Sequence, residues 1–273
     1  MPSVDENLTN WSSNWDWSAR GDEWSAWWGG TEALWYGALL PRLHAMLPVP
    51  RVLEIAPGYG RWTQYLKDLC EELTIVDLTP ECIEHCRTRF ASSSNIAYHV
   101  NDGRSLNMIE DGTVDFVFSF DSLVHAEPDV IRSYLEQLAA KLSPTGAGFI
   151  HHSNAGSFRR LSRLTRRAPD RLIGPLMRSG VLMNLIAWRD EGMTAAVFRE
   201  QCTSAGLACV TQELISWEFG LYTIDCLSVF TRPGSPWDRP TRTTTNPFFI
   251  SEARRMARLY AKSGFRRAQK SPP

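Results

Sequence analysis

Short apolar runs alternate along this chain with longer stretches whose apolar residues recur at helical spacing. RVLEI, with Val52, Leu53 and Ile55, predicts a first strand; LTIVD, with Leu73, Ile75 and Val76, a second; and NIAYHV a third. RWTQYLKDL reads as an amphipathic helix between the first two strands. PECIEHCRTRF is the next helix, with Thr79 as N-cap and Pro80 at the first helical position. VDFVFSF is a continuous apolar run, the kind buried on both faces of a parallel sheet. Helix DVIRSYLEQLAAKL, turn SPTG and strand GAGFIHHSN follow, and helix MTAAVFREQCTSAG ends at Gly206. The last strands lie near ACVTQELISW and TIDCLSVFT, expected as an antiparallel pair at the sheet edge. This alternation predicts an α/β fold with helices on both faces of a doubly wound sheet.

The first strand carries Glu54 near its end, breaks at Gly58 and Gly60, and leads through a helix to a second strand capped by Asp77. That acid lies about 20 residues beyond the turn, the spacing of a carboxylate that holds ribose hydroxyls. A dinucleotide fits poorly: Thr63 stands at the third glycine position, Arg61 and Trp62 are bulky, and Pro57 stiffens the turn. Glu54 would repel phosphate but suits a ligand carrying an ammonium group. An ordinary crossover with a glycine turn and no ligand is the alternative.

Glu54, Ala56, Gly58 and Gly60 resemble motif I of the class I S-adenosylmethionine (SAM) methyltransferases, acid-x-Gly-x-Gly-x-Gly, with Ala56 in place of the first glycine. The resemblance implies a Rossmann-like, seven-stranded sheet over roughly Arg51 to Thr231. It places SAM against Glu54, Gly58 and Gly60, and its ribose on Asp77 beside Leu78. Asp102, next to Gly103, would meet the adenine amine, and Phe120 and Asp121 would complete the cofactor site.

Composition narrows the class without changing this reading. The chain has 273 residues, 43% hydrophobic, with a formal net charge of −1. No global field draws it to nucleic acid or to an anionic membrane, and no apolar run is long enough to span a bilayer. The polar, acidic start is unlike a signal peptide. Six cysteines without dense spacing read as reduced thiols in a cytoplasmic enzyme. Cys82, His85 and Cys86 share one predicted helix; lacking a second ligand pair, they read as packing residues rather than a zinc site.

Methyl transfer to oxygen needs a proton acceptor, and imidazole suits that task near neutral pH. His125, His151 and His152 fall at two neighbouring strand ends. Adjacent strand residues point to opposite faces, so His151 is taken as the base, with His152 as the alternative or as a substrate-orienting residue. The Asp190–Glu191 pair could also face the cleft. The resemblance implies a second route, a Mg²⁺ ion held by Asp121 and Asn154, because some class I O-methyltransferases place acid and amide ligands after these two strands. The family's second acid after the fifth strand is absent here.

The flanks bear on the acceptor. Residues 1–45 hold Trp11, Trp15, Trp17, Trp24, Trp27, Trp28 and Trp35 and are expected as a helical cap on a core of residues 46–232. An insertion at about 155–190, with Arg159, Arg160, Arg163, Arg166, Arg167, Arg171 and Arg178 among leucines, is expected as a helical lid. A tail at 233–273 would end in a short basic helix, packed on the core or on a second copy in a homodimer. VLEIAPGYGRWTQYL, SFDSLVHAE and FIHHSN together resemble actinobacterial and mycobacterial sugar O-methyltransferases of methylmannose polysaccharide synthesis. That resemblance implies a short mannoside as the small-molecule carbohydrate acceptor. Methylation of a quinone, lipid or polyketide hydroxyl would instead need an apolar pocket, and a non-catalytic SAM-binding module would need no base.

Overall fold

A computed structural model of the chain describes residues 3–169, 171, 174–175, 189–216 and 222–263. Eight strands form one sheet: β1 (Val49–Ile55), β2 (Cys70–Asp77), β3 (Ile96–Val100), β4 (Val114–Ser119), β5 (Leu142–Ser153), β6 (Ala208–Ile215), β7 (Asp225–Thr231) and β8 (Arg242–Asn246). Their order is β3-β2-β1-β4-β5-β7-β6-β8. Neighbours from β3 to β5 run parallel, and β7 is antiparallel to both β5 and β6. The chain order reverses between β1 and β4, which opens a crevice at their carboxyl ends.

Two expectations are corrected. The sheet has eight strands rather than seven, because the β-branched run Thr243–Thr245 pairs in parallel with β6. The β6–β7 pair is therefore not the edge. The predicted turn SPTG is also absorbed into β5, which begins at Leu142.

The period-two alternation of the central strands divides their side chains between two cores. Val52, Leu73, Ile75, Phe116, Phe118 and Phe149 face one side. Leu53, Ile55, Val76, Val117 and Ile150 face the other. Helices α1 (Val4–Thr9), α2 (Thr31–Leu34), α3 (Leu40–Leu43), α4 (Thr63–Leu66), α5 (Pro80–Arg89), α6 (Pro128–Lys141), α7 (Arg159–Arg167), α8 (Ala195–Ser204) and α9 (Phe249–Ser263) complete the described secondary structure, with short 3₁₀ and π turns. Helices α6 and α8 cover the second face, through Ile131, Leu135, Leu138 and Phe198. The first is covered by Leu34, Trp35, Leu39 and Leu43 from the N-terminal segment and by Phe249, Ile250 and Ala253 from α9.

The N-terminal segment is thus more than a cap, since Trp28 and Trp35 are fully buried core residues. The tail helix packs on this segment: Trp28 and Phe249 meet edge to face at 5.1 Å. Arg42 joins the two, bonding Glu213 through Nε at 2.7 Å and Glu252 through Nη2 at 2.9 Å. Of the arginine-rich insertion, Arg159–Arg167 is a helix, while Arg178 lies outside the described residues. Among the described residues no helix is long and apolar enough to cross a membrane.

Candidate functional site

A cavity opens at the carboxyl ends of β1, β2 and β4. Its floor begins with the turn after β1, where Ala56, Gly58 and Gly60 all take left-handed backbone, at φ 58°, 55° and 81°. Ala56, standing where the motif has glycine, adopts the conformation that glycine favours. Gly58 lines the cavity. Gly60 does not; a Cβ there would lie 2.5 Å from the Phe90 ring, so this glycine serves close packing of α5.

Asp77 ends β2 at the cavity wall. Its Oδ2 accepts from the Gly58 N–H at 3.1 Å and its Oδ1 from the Thr79 N–H at 2.8 Å. Burial pushes its carboxyl up to about 6, opposed by these backbone donors. Leu78 and Gly103 also line the cavity, but Asp102 does not. Its Oδ1 accepts from the N–H groups of Arg104 and Ser105 and so shapes the turn that brings Gly103 to the wall. Glu54 is buried behind the floor, where Thr63 Oγ1 donates to its Oε2 at 2.6 Å. Desolvation pushes this carboxyl up to about 8.

The β4 end supplies Phe120, Asp121, Ser122, Leu123 and His125. Asp121 Oδ2 accepts from Arg61 Nη2 at 2.8 Å, and Arg61 Nη1 also donates to Ser25 Oγ at 3.2 Å. The guanidinium lies over the Trp62 ring at 4.6 Å. The roof comes from the N-terminal segment, through Val4, Asn7, Trp11, Trp17, Gly21 and Trp24. Trp17 stacks on Tyr59 at 4.5 Å and Trp15 on Trp24 at 4.4 Å. Trp11 faces His125 at 5.6 Å.

The strand-end histidines taken as base, and Asn154 of the two residues taken as metal ligands, lie elsewhere. His151 and His152 are fully buried and do not line the cavity. His151 packs against Phe120, and its Nδ1 accepts the Asp121 N–H at 3.1 Å. His152 points to the opposite sheet face, flat on Phe198 at 4.2 Å, with Nε2 at 2.8 Å from Ser228 Oγ. Burial lowers its pKa to about 3, so it stays neutral. Asn154 Oδ1 accepts from the Ala195 N–H and Ser157 Oγ, while Nδ2 donates to the Thr223 carbonyl. Asp190 and Glu191 do not line the cavity either; Glu191 Oε1 accepts from Ser162 Oγ.

Sequence reasoning missed Arg61 as part of the site and placed α1 only within the general cap of residues 1–45. Arg61 looked merely bulky, because nothing local marks its pairing with an acid sixty residues on. The start of α1 did carry a signal: Ser3 and Glu6 form a reciprocal capping box.

Comparisons with known proteins bear on the same strands. Residues 52–146 match the family model of a methyltransferase domain. The chain is 31% identical to nodulation protein S of Sinorhizobium fredii over 101 residues, 36% of this chain and 45% of that protein. It is 34% identical to squalestatin hexaketide synthase of a Phoma species over 120 residues, 40% of this chain but 5% of that protein. The chain thus spans less than half the length of either relative. A SAM-dependent methyltransferase structure from Methanosarcina mazei, at 15% identity and TM-score 0.52, covers 71% of this chain and 98% of its own. Residues 52–146 are therefore similar to a methyltransferase domain, on a fold shared with a SAM-dependent methyltransferase.

The cavity beside these residues fits SAM. Asp77 keeps lone pairs for ribose hydroxyls beyond its two backbone bonds. The Gly58 turn leaves a cradle beneath Trp17, whereas Glu54, expected against the cofactor, does not line the cavity. A metal fits less well. The Asp121 carboxylate is ion-paired to Arg61 and the Asn154 amide is engaged at both ends, so the two do not form one donor set. Among the described residues no group of three or more His, Cys, Asp or Glu could hold a metal ion.

Proposed function

We propose that this protein transfers a methyl group from SAM to a hydroxyl of a small carbohydrate, a short mannoside in the reading that the sugar O-methyltransferase resemblance implies. The observation that carries this is a single cavity with two unlike walls: a cofactor floor of Gly58, Asp77, Leu78 and Gly103, and a tryptophan roof of Trp11, Trp17 and Trp24.

Bound there, SAM supplies an electrophilic methyl for in-line displacement by the acceptor oxygen. The chain's own residues do the rest. Asp77 orients the ribose end, which fixes where the reacting methyl lies. Tryptophan faces suit the apolar face of a sugar ring, and their N–H edges are held: Trp11 Nε1 by Asn7 and Trp17 Nε1 by the Trp11 carbonyl. His125 is the imidazole of the cavity wall and the proton acceptor in this reading. Residues 155–190 would act as the lid and residues 1–45 as the cap.

A second reading has support of its own. Glu127 and Asp121 line the cavity with Trp11 and Trp24, and acids beside aromatic faces hold cations. An amine acceptor would use this wall. The test is methyl transfer from labelled SAM to parallel panels of mannosides and of small amines. His125→Ala should lower kcat by about 10²–10⁴-fold on the preferred panel with S-adenosylhomocysteine affinity unchanged. Turnover of amines alone would overturn the sugar reading, and an active His125→Ala would remove this base.

A further inference from the structure

Ala56 and Asp121 follow the neighbouring strands β1 and β4, and both hold left-handed backbone, at φ 58° and 64°. Such conformations in residues other than glycine persist where their surroundings over-determine them. Ser122 Oγ donates to the Ala56 carbonyl at 2.8 Å and ties the two turns together. The Asp121 N–H donates to His151 Nδ1 at 3.1 Å. A backbone N–H can only donate, so Nδ1 carries the lone pair and the proton of the neutral ring sits on Nε2.

Nε2 lies 3.6 Å from Asp225 Oδ2, longer than a hydrogen bond but close enough for the carboxylate's charge to favour a proton on that nitrogen. Asp225 is itself fixed by two bonds from Arg189, at 2.6 and 2.7 Å. All three side chains are buried. Behind the wall, then, stands a chain of contacts from Arg189 through Asp225 and His151 to the Asp121 turn. It ends at the Arg61–Asp121 ion pair inside the cavity.

We propose that His151 is a positioning residue for the cofactor site: accepting the Asp121 N–H at Nδ1 and facing the Asp225 carboxylate with Nε2, it holds the Asp121 turn so that the Asp121 carboxylate meets Arg61 at the cavity wall. Arg61 also reaches Ser25 in the N-terminal segment, so the turn that His151 sets anchors the guanidinium joining floor and roof. The inference rests on the reading of this cavity as the cofactor site.

His151→Asn separates positioning from proton transfer. Asparagine Oδ1 is attached to Cγ as Nδ1 is, and accepts the same N–H, yet takes up no proton near neutral pH. His151→Phe keeps a ring against Phe120 and removes the acceptor. In titration calorimetry with S-adenosylhomocysteine, His151→Asn should bind within about threefold of wild type, and His151→Phe about ten- to a hundredfold more weakly, the scale of an unmet buried donor. In methyl transfer, His151→Asn should keep its kcat, while His151→Phe should raise KM for SAM.

A normal S-adenosylhomocysteine affinity with a kcat loss of about a hundredfold or more in His151→Asn would show that His151 takes the proton itself, and would overturn the proposal. So would wild-type affinity in His151→Phe. Should His151→Phe fail to melt cooperatively, the kcat of His151→Asn still decides. Wild-type protein that does not bind S-adenosylhomocysteine would overturn the cofactor reading itself, a result distinct from these.

Discussion

At the floor of the cavity, Asp77 is held by backbone N–H groups of Gly58 and Thr79, and the turns after β1 and β4 are pinned to strands of the central sheet. The roof is made differently. Trp11, Trp15, Trp17 and Trp24 lean on one another at 4.4–6.0 Å, and few polar bonds bind them to the core, among them Arg61 to Ser25 and Asn7 Nδ2 to the His125 carbonyl. The floor draws its precision from sheet hydrogen bonds, which every strand contributes cooperatively. The roof depends on side-chain stacking, where each pair adds about 0.5–1.5 kcal/mol. A floor fixed by backbone bonds suits a cofactor that is always the same molecule, whereas a roof of stacked rings suits the acceptor proposed above.

The sharpest way to break this contrast is at the two glycines of one turn. A Cβ at Gly60 would lie 2.5 Å from Phe90 Cε2, and its φ is 81°. Gly60→Ala should therefore cost about 2–4 kcal/mol of stability, from overpacking and left-handed strain together. At Gly58 the nearest neighbour is the Trp17 ring at 3.3 Å, so Gly58→Ala should displace the roof and cost less. Urea denaturation of both variants checks the order. Equal stabilities would show that the floor is not the more rigid half.

Asp77 tests the floor's chemistry. Asp77→Ala should weaken S-adenosylhomocysteine binding by about 1.5–3 kcal/mol, the worth of hydrogen bonds to a charged group. Burial raises this carboxyl from its ordinary 3.8 to about 6. Between those values the folded state holds more protons than the unfolded one, so this group's contribution to stability falls as pH rises through the window. Cofactor binding runs the other way, because ribose hydroxyls need the carboxylate. Affinity should drop as pH falls through about 6, and Asp77→Asn should abolish that dependence. A calorimetric pH series with an unchanged affinity from 5 to 7, both rough bounds around the shifted value, would take Asp77 out of the site.

The same contrast explains what could be read from the chain. Floor residues sit at strand ends, and strand ends follow from local apolar runs, so the sequence alone places Gly58, Asp77, Gly103 and Asp121 on the cavity side of the sheet. Packing between distant elements was not. The period-two rule predicted that His151 and His152 would face opposite ways, but their burial depends on Phe120 and Phe198 arriving from β4 and α8. Thr243–Thr245 carry strand propensity, yet their neighbours are prolines and arginines, and only the free edge of β6 makes them a strand. The tryptophans were conspicuous in composition, but which of them line the cavity and which are core is a tertiary choice. Trp35 stacks on Tyr65 at 4.9 Å inside the fold, and Trp17 on Tyr59 at the wall.

Trp17 gives the smallest and most selective test of the roof. It is half-buried, stacks on Tyr59 with rings 10° from parallel, and covers the Gly58 turn. Tyr59 stacks in turn on His85 at 3.9 Å, so part of its support remains when Trp17 is removed. Trp17→Ala should cost about 0.5–1.5 kcal/mol in S-adenosylhomocysteine affinity, the worth of one aromatic pair. The loss should appear as faster release rather than slower capture, because affinity changes within one site lie mostly in the dissociation rate. Stopped-flow dissociation followed by tryptophan fluorescence would measure it. Overall stability should barely move, because the ring lies outside the two buried clusters. A lowered melting temperature with unchanged release would reassign Trp17 from the cavity to the core and erase the distinction between floor and roof at this position.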